Sequence, residues 1–413
     1  MQDTLKLIIL VIIGITSCLT LLLLLAGIIR RIVQGRRYAV LDELRLKYHG
    51  LLKNIFRSEG SYDLSELVAK PGSAKWHAVE EVLLNFANGE SYAEKARKIL
   101  VELSYPSYYE VKLHARNVIA CASAINKLGA MHSLGSVQNL IQCLDEENAE
   151  IVSVAVRSLS KIGAAEGLTA ILERLPALIQ KSLAARKTLE AFLLNFGPSA
   201  APFLIERVRT ADDLTKALLL EVLSQMRDST AAVVAAENLT SASAEVRAKS
   251  LRVIESSAKD TGFAAWEKVA GLIDDPAWFV RMHAARALKL APGDDMIPLL
   301  AKLMLDESWH VRSSASAALV ERGDKALPIF LEALRSGDAY VRNSICEEIL
   351  KGTYIEKLFT NLDDGDGYIF RQSRELARAM YQTGFRTPFE EYLEKGENLK
   401  IKQAITGIFE EDN

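Results

Sequence analysis

Cysteine is scarce: four residues in 413, at positions 18, 121, 143 and 346. That is too few to staple a secreted module, and no pair has the C-x-x-C spacing of a zinc or redox site. The six histidines (His49, His77, His114, His132, His283, His310) show no paired metal-ligand spacing. Also missing are a G-x-x-x-x-G-K-S/T phosphate loop, an H-E-x-x-H helix and a G-x-S-x-G nucleophile elbow. The segment LDDGDGYIF, with Asp363, Asp364 and Asp366, fails as a calcium loop. With Gly367 at the glycine position, Leu362 falls on the first ligand and Ser373 where a bidentate glutamate belongs. These absences predict no catalytic, cofactor or metal site, and a protein that is not an enzyme.

Charge is absent from one long stretch. Leu7 to Ile29 is 23 residues without a charged side chain, whereas the whole chain carries 50 Lys plus Arg against 53 Asp plus Glu, a net of -3. Residues 38–413 hold a net of -7, which argues against a general nucleic-acid binder, whose footprint is basic. An apolar content of 49% excludes intrinsic disorder.

A helix over Leu7–Ile29 would be about 35 Å long, against a hydrocarbon core of about 30 Å, so the segment reads as a membrane span. A cleaved signal peptide would place its basic residues before the apolar run. Here only Lys6 precedes it, and Arg30, Arg31, Arg36 and Arg37 follow. The positive-inside rule then puts the N-terminus outside and the rest in the cytoplasm, at the inner membrane, where the remaining cysteines stay free thiols. Residues 1–37 are the anchor with its basic collar, and residues 30–57 hold eight basic and two acidic side chains that an anionic leaflet attracts. Residues 38–60 form an amphipathic helix (Val40, Leu41, Leu44, Leu51, Leu52, Ile55, Phe56) that either packs on the first repeat or lies along the bilayer. Gly14 with Cys18, and Ala26 with Gly27, supply small-residue spots for a homodimer contact.

From residue 105 a pattern recurs: an aliphatic residue, then a basic one, with apolar positions four and eight residues after the first. It is plainest at Val280, Val311 and Val341, in FVRMHAARALKL, HVRSSASAALVE and YVRNSICEEILK. The same register gives starts at Val111, Ile151, Ala185, Thr215, Val246, Val280, Val311, Val341 and Phe370, in steps of 40, 34, 30, 31, 34, 31, 30 and 29 residues. A fixed period of this size means a solenoid. Offsets of four and eight line one helix face, so each unit reads as two helices, the second opening at the start residue and stopping at a glycine such as Gly163, Gly197 or Gly323. The first opens near Pro202, Pro298 or Pro328. No alternating strand pattern is present in this region. Residues 61–104 read as an atypical helical cap, 105–384 as the solenoid, and 385–413 as C-terminal capping helices with a Thr387–Glu390 capping box.

The V-R helix start, with Asp275 five residues before Val280 and Asp306 five before Val311, resembles the HEAT family in its short bacterial, phycobilin lyase-like form. The resemblance covers about residues 105 to 384. It implies a right-handed solenoid of HEAT-like helix pairs, which with the transmembrane helix read from the apolar run makes an all-α fold with a single N-terminal span. It implies, too, a scaffold that recruits a protein partner at the cytoplasmic face, with a membrane glycosyltransferase complex as one candidate. Two other readings are a phycobilin lyase-like enzyme or chaperone and a HEAT-like nucleic-acid binder similar to alkylpurine DNA glycosylases. The acidic net charge weighs against the second.

Two rows of residues stand out. The basic second position holds Lys112, Arg186, Lys216, Arg247, Arg281, Arg312, Arg342 and Arg371. A cation in the first turn of a helix faces the positive end of the dipole and needs a carboxylate, for which the loop aspartates Asp275 and Asp306 are the candidates. The row forms either an inter-repeat ion-pair ladder or a site for an anionic ligand. Aromatics precede the second helix at Tyr108, Tyr109, Trp278, Phe279, Trp309, Tyr340 and Tyr368. They either pack between loops or line an edge where Tyr109, Trp278, Trp309, Tyr340 and Tyr368 anchor a partner.

Overall fold

The computed structural model describes residues 19–22, 24, 25, 28, 31, 39–58, 63–89, 91–257, 263–363 and 367–410. Among these there is no strand. No helix among them is long and apolar enough to cross a membrane, and the expected span, residues 7–29, lies for most of its length outside the described residues. The chain divides into two compact units, residues 1–171 and 172–413.

In the first unit, helix α1 (residues 39–57) buries Tyr48, Leu52 and Phe56, one stripe at four-residue spacing. It packs on α2 (Ala74–Ala87) and α3 (Ala93–Glu102). Phe56 meets Phe86 edge-on at 4.9 Å and stacks on Tyr92 at 5.3 Å. Arg45 donates to Glu81 through Nε at 3.0 Å and Nη2 at 2.5 Å. The juxtamembrane helix thus has a packed face, while Lys47, Lys53 and Arg57 are exposed. Next come α4 (Tyr105–Glu110), α5 (Val118–Ala130), α6 (Val137–Gln142), α7 (Ala149–Ile162) and α8 (Ala165–Gln180), within which the division into units falls.

Val111 does not open a helix. Val111–His114 is a single 3-10 turn and Val111 is 80% exposed. The helix opens at Val118, where the Asn117 side chain accepts from the amides of Ile119 and Ala120. Ala120, Ala124 and Leu128 then stand where Ile151, Ala155 and Leu159 stand in α7, behind its cap Asn148. The first step is therefore 31 residues, not 40. His114 consequently shares no repeat position with His283.

The second unit continues with α9 (Arg186–Leu194), α10 (Ala201–Thr210), α11 (Asp213–Met226), α12 (Ala231–Glu237), α13 (Ala244–Ser257), α14 (Trp266–Ala270), α15 (Trp278–Leu288) and α16 (Ile297–Leu303). It is completed by α17 (Trp309–Glu321), α18 (Leu327–Arg335), α19 (Ala339–Lys351), α20 (Tyr354–Asn361), α21 (Tyr368–Gln382), α22 (Thr387–Lys395) and α23 (Leu399–Glu410). The second helices α9, α11, α13, α15, α17 and α19 pack one on the next. Their shared core is the predicted stripe: Val280, Ala284 and Leu288, then Val311, Ala315 and Leu319, then Val341, Ile345 and Ile349, all fully buried. Burying each large aliphatic contributes about 1.5–3 kcal/mol. Pro202, Pro298 and Pro328 sit in the first turns of α10, α16 and α18.

Two C-terminal details differ from the sequence pattern. Counting four and eight from Phe370 lands on Arg374 and Arg378, whereas α21 buries Ser373, Leu376, Ala377 and Met380. Ile369 and Phe370 are adjacent apolar residues, and the pattern took the wrong one for the start of the face. At α22, Arg386 occupies the cap and Thr387 is already the first helical residue, so no side-chain capping box forms.

Candidate functional site

Four positions of the basic row, Arg247, Arg281, Arg312 and Arg342, share a function that pairing with aspartate only supplements. Arg247 donates through Nη1 to the carbonyls of Ser241 (2.8 Å) and Ala242 (3.0 Å). Arg281 does the same to Asp275 O (2.8 Å), Arg312 to Asp306 O (2.7 Å) and Glu307 O (3.0 Å), and Arg342 to Ser336 O (2.5 Å). Each arginine reaches back six residues and holds the loop that leads into its own helix. Where the next repeat offers an aspartate, the remaining fork bridges to it. Arg247 reaches Asp275 through Nε at 2.7 Å and Nη2 at 2.9 Å, and Arg281 reaches Asp306 at 2.6 and 2.9 Å. Such bidentate pairs are the strong ones. Each aspartate also accepts an amide two residues on, from Ala277 and Ser308.

At the next loop Ser336 takes the place of the aspartate. Its hydroxyl still accepts from the Asp338 amide at 3.1 Å, but Arg312 receives no carboxylate and lies over the Tyr340 ring at 5.5 Å. The carboxylate has moved two residues, to Asp338, which caps α19 through the amides of Tyr340 and Val341. Burial alone would raise the Asp306 carboxyl, yet the Arg281 fork, the Ser308 amide and the charges of Arg281 and Arg312 hold it below the usual range. The other basic positions depart from the row. Lys112 donates to the Tyr108 hydroxyl at 2.6 Å, Arg186 pairs with Glu245 at 2.8 Å, Lys216 has no ion-pair partner among the described residues, and Arg371 is exposed.

The aromatic row splits. Tyr109 is buried and donates to Glu80 Oε1 at 2.6 Å, so it is part of the first unit's core rather than an exposed edge. Tyr368 is exposed at the start of α21. Trp278, Trp309 and Tyr340 are exposed by 42%, 63% and 72%, each at the start of a successive second helix. His310 stacks between the two tryptophans, 4.8 Å from Trp278 and 3.7 Å from Trp309, and Arg312 continues the series to Tyr340. Sequence reasoning missed His310, although it follows Trp309 directly.

Three hollows run beside this edge in the second unit. One of about 770 Å³ lies among α11, α13 and α15, with Arg227, Arg252, Glu255, His283 and Arg286 on its walls. The second, about 330 Å³, shares Glu255 and Arg286 with it and reaches α17. The third, about 240 Å³, shares Ser313 with the second and contains Trp309, Arg312 and Tyr340. In the first unit a hollow of about 730 Å³ contains His132, which burial, then Arg97 and Lys161, push down to about 4. Nearby, Ser136 donates to Glu110 at 2.6 Å.

Among the described residues no three His, Cys, Asp or Glu side chains are grouped to hold a metal ion. Asp364 and Asp366 of the acidic segment lie outside the described residues. Cys121, Cys143 and Cys346 are free and buried, and burial raises all three thiols.

Stacked helix pairs whose loops are held by arginine define an α-solenoid. A profile of the HEAT repeats family matches residues 267–350, the stretch from α14 to α19 in which the arginine clamp is most regular. No curated protein matches the chain. Similar solved structures include an engineered protein, with TM-score 0.36 and 16% identity over 85% of this chain and 98% of that one. Two others are the karyopherin Kap121p in a mutant form and Kap121p bound to the extreme C-terminus of the protein phosphatase Cdc14p. Each has TM-score 0.45 and 15% identity over 90% of this chain and 49% of that one. This chain thus spans about half the length of Kap121p.

Proposed function

We propose that this protein is a non-enzymatic, membrane-tethered scaffold of the bacterial inner membrane whose repeat region recruits a protein partner on the cytoplasmic side. The observation that carries the reading is the exposed series Trp278, His310, Trp309, Arg312 and Tyr340. Tryptophan, tyrosine and arginine are the residue types that dominate binding energy at protein interfaces, and here they gather at the starts of three consecutive second helices. Supporting the tether are the uncharged run Leu7–Ile29, the arginines that follow it, and the exposure of Leu19, Leu21, Leu22, Leu24, Leu25 and Ile28. A membrane glycosyltransferase complex is the partner class suggested by the resemblance to membrane-anchored HEAT proteins.

Crosslinking and affinity capture of the detergent-extracted protein test the recruitment. The wild type should enrich a partner that the Trp309→Ala, Tyr340→Ala double variant loses at unchanged melting temperature. Equal recovery by both would remove the edge from the function. Topology needs an introduced thiol, because Cys121 and Cys346 are buried. Glu307, 87% exposed on its side chain, is suitable. Glu307→Cys should resist a membrane-impermeant maleimide in spheroplasts and label after lysis, and labelling from outside would reverse the orientation.

A further inference from the structure

The three hollows of the second unit share lining residues, so they form one trough across α11, α13, α15, α17 and α19. Neighbouring helices sit about 8–10 Å apart, which makes the four spacings of the trough about 32–40 Å long. An extended chain rises about 3.3 Å per residue, so about ten to twelve residues fill it.

The charge along the trough runs against that of its surroundings. Residues 172–413 carry 31 basic and 36 acidic side chains, a net of -5. The first hollow nevertheless has three arginines, Arg227, Arg252 and Arg286, against one glutamate, Glu255. None of the three has a carboxylate to itself. Arg286 makes a single side-chain hydrogen bond, from Nε to Ser314 Oγ at 3.3 Å, and shares the charge of Glu255 with Arg252 and His283, while Arg227 has no carboxylate partner among the described residues. Arg252 shares Glu221 with Lys249. His283 Nδ1, buried in the same hollow, faces Glu255 Oε2 at 3.7 Å, beyond hydrogen-bond distance. Arg227 is held at φ 56, a left-handed helix end of the kind that Gly163 serves after α7. A side chain there works against its own backbone, and what it supplies is a third cation at the mouth of the hollow. At the other end the trough reaches Trp309 and Tyr340.

We propose that this trough binds an extended acidic peptide segment of the partner, its carboxylates over Arg227, Arg252 and Arg286 and an apolar or aromatic residue between Trp309 and Tyr340. The proposal rests on the scaffold reading and names the chemistry of the partner's recognition segment. Arginine forks take carboxylates bidentately, and the aromatic end fixes the direction of the chain. Arginines that outnumber the carboxylates of an open hollow in an acidic unit favour a peptide with clustered Asp and Glu over a basic or neutral one.

The test uses the full-length protein in nanodiscs and a fluorescein-labelled twelve-residue peptide whose first half is rich in glutamate and whose second half holds one tryptophan. A control peptide has glutamine in place of glutamate. Anisotropy should show the acidic peptide binding at least tenfold tighter than the control, with Arg286→Glu, or Arg286→Gln should the former fail to fold, removing most of that difference. Arg227→Gly should raise the melting temperature while weakening the peptide, opposite directions that a purely structural arginine would not give. Equal binding of the two peptides, no binding of either, or an unchanged affinity in the Arg286 variants would overturn the proposal. So would tighter, Arg286-dependent binding of a twelve-nucleotide single-stranded RNA. Arg286→Glu is carried through the capture experiment as well. A partner still captured by that variant overturns the trough and leaves the scaffold standing. Tight acidic-peptide binding with nothing captured by the wild type upholds the trough and overturns the scaffold.

Discussion

Arg247, Arg281, Arg312 and Arg342 show what a basic residue gains in the first turn of a helix, where the dipole disfavours it. One guanidinium nitrogen satisfies loop carbonyls that no helix pairs, and the rest of the fork is free to reach the next repeat. The residue five before the helix start decides whether it does. Asp306→Ser should leave the turn intact, since a hydroxyl still serves the amide two residues on, but strip Arg281 of its bidentate partner. With both side chains nearly buried, the expected loss is about 2–3 kcal/mol, seen as a lower urea midpoint at unchanged slope. An unshifted midpoint would show that the bridge contributes nothing beyond its desolvation cost. The same logic predicts a gain elsewhere. Ser336→Asp supplies the carboxylate that Arg312 lacks and should stabilise by about 1 kcal/mol. Because the Asp306 carboxyl is held below its usual range, its contribution is present above the unfolded-state value and is lost as pH falls below about 4. The difference between wild type and Asp306→Ser should therefore shrink on acidification and persist at neutral pH.

Helices were legible wherever the aliphatic-basic start coincided with the buried stripe, as at Val280, Val311 and Val341. The first repeat was not, because Val111-Lys112 has the same dipeptide while its side chains face solvent and the tyrosine cluster. Asn117, with Ala120, Ala124 and Leu128 behind it, was the better signal: an N-cap followed by the apolar offsets of the next repeat. Alanines at those offsets carry a weak hydrophobic signal because helix α5 meets α7 at close range. Gly129 marks the closest approach, where an added Cβ would lie 2.6 Å from the Ser158 side chain and 2.7 Å from its Cα. Backbone cannot yield as a flexible side-chain end can, so Gly129→Ala should cost about 2–3 kcal/mol even though alanine is the better helix former by about 1 kcal/mol. Stability equal to wild type in a urea melt would mean that the two helices are free to move apart. The exposed face of a helix gives no comparable sequence signal. Of the trough only a fragment was readable: Arg252 and Arg286 both stand six residues after their helix starts, Val246 and Val280, but Arg227 stands at the end of α11, twelve after Thr215, and only stacking brings the three to one hollow.

At the scale of the whole molecule the net charge of -3 averages two opposed regions. Residues 1–57 carry nine basic and three acidic side chains, and residues 58–413 carry 41 and 50. In α1 the opposition becomes a matter of faces: Tyr48, Leu52 and Phe56 are committed to the packing on α2 and α3, while Lys47, Lys53 and Arg57 remain exposed and have no ion-pair partner among the described residues. A tethered chain would bring those three cations to an anionic leaflet, worth about 1 kcal/mol each near the surface. An environment-sensitive dye on Asn54→Cys, an exposed position of the same helix, reads this directly, since the thiols at 121, 143 and 346 are buried. Its emission should shift to the blue in nanodiscs containing phosphatidylserine relative to phosphatidylcholine alone. Salt at about 1 M, which shortens the screening length to about 3 Å, should reverse the shift. Replacing Lys47 and Lys53 with glutamate should abolish it at unchanged melting temperature, because neither side chain belongs to the packed face. Identical emission in both lipids would mean that α1 stands off the bilayer and serves only as the first layer of the helical stack.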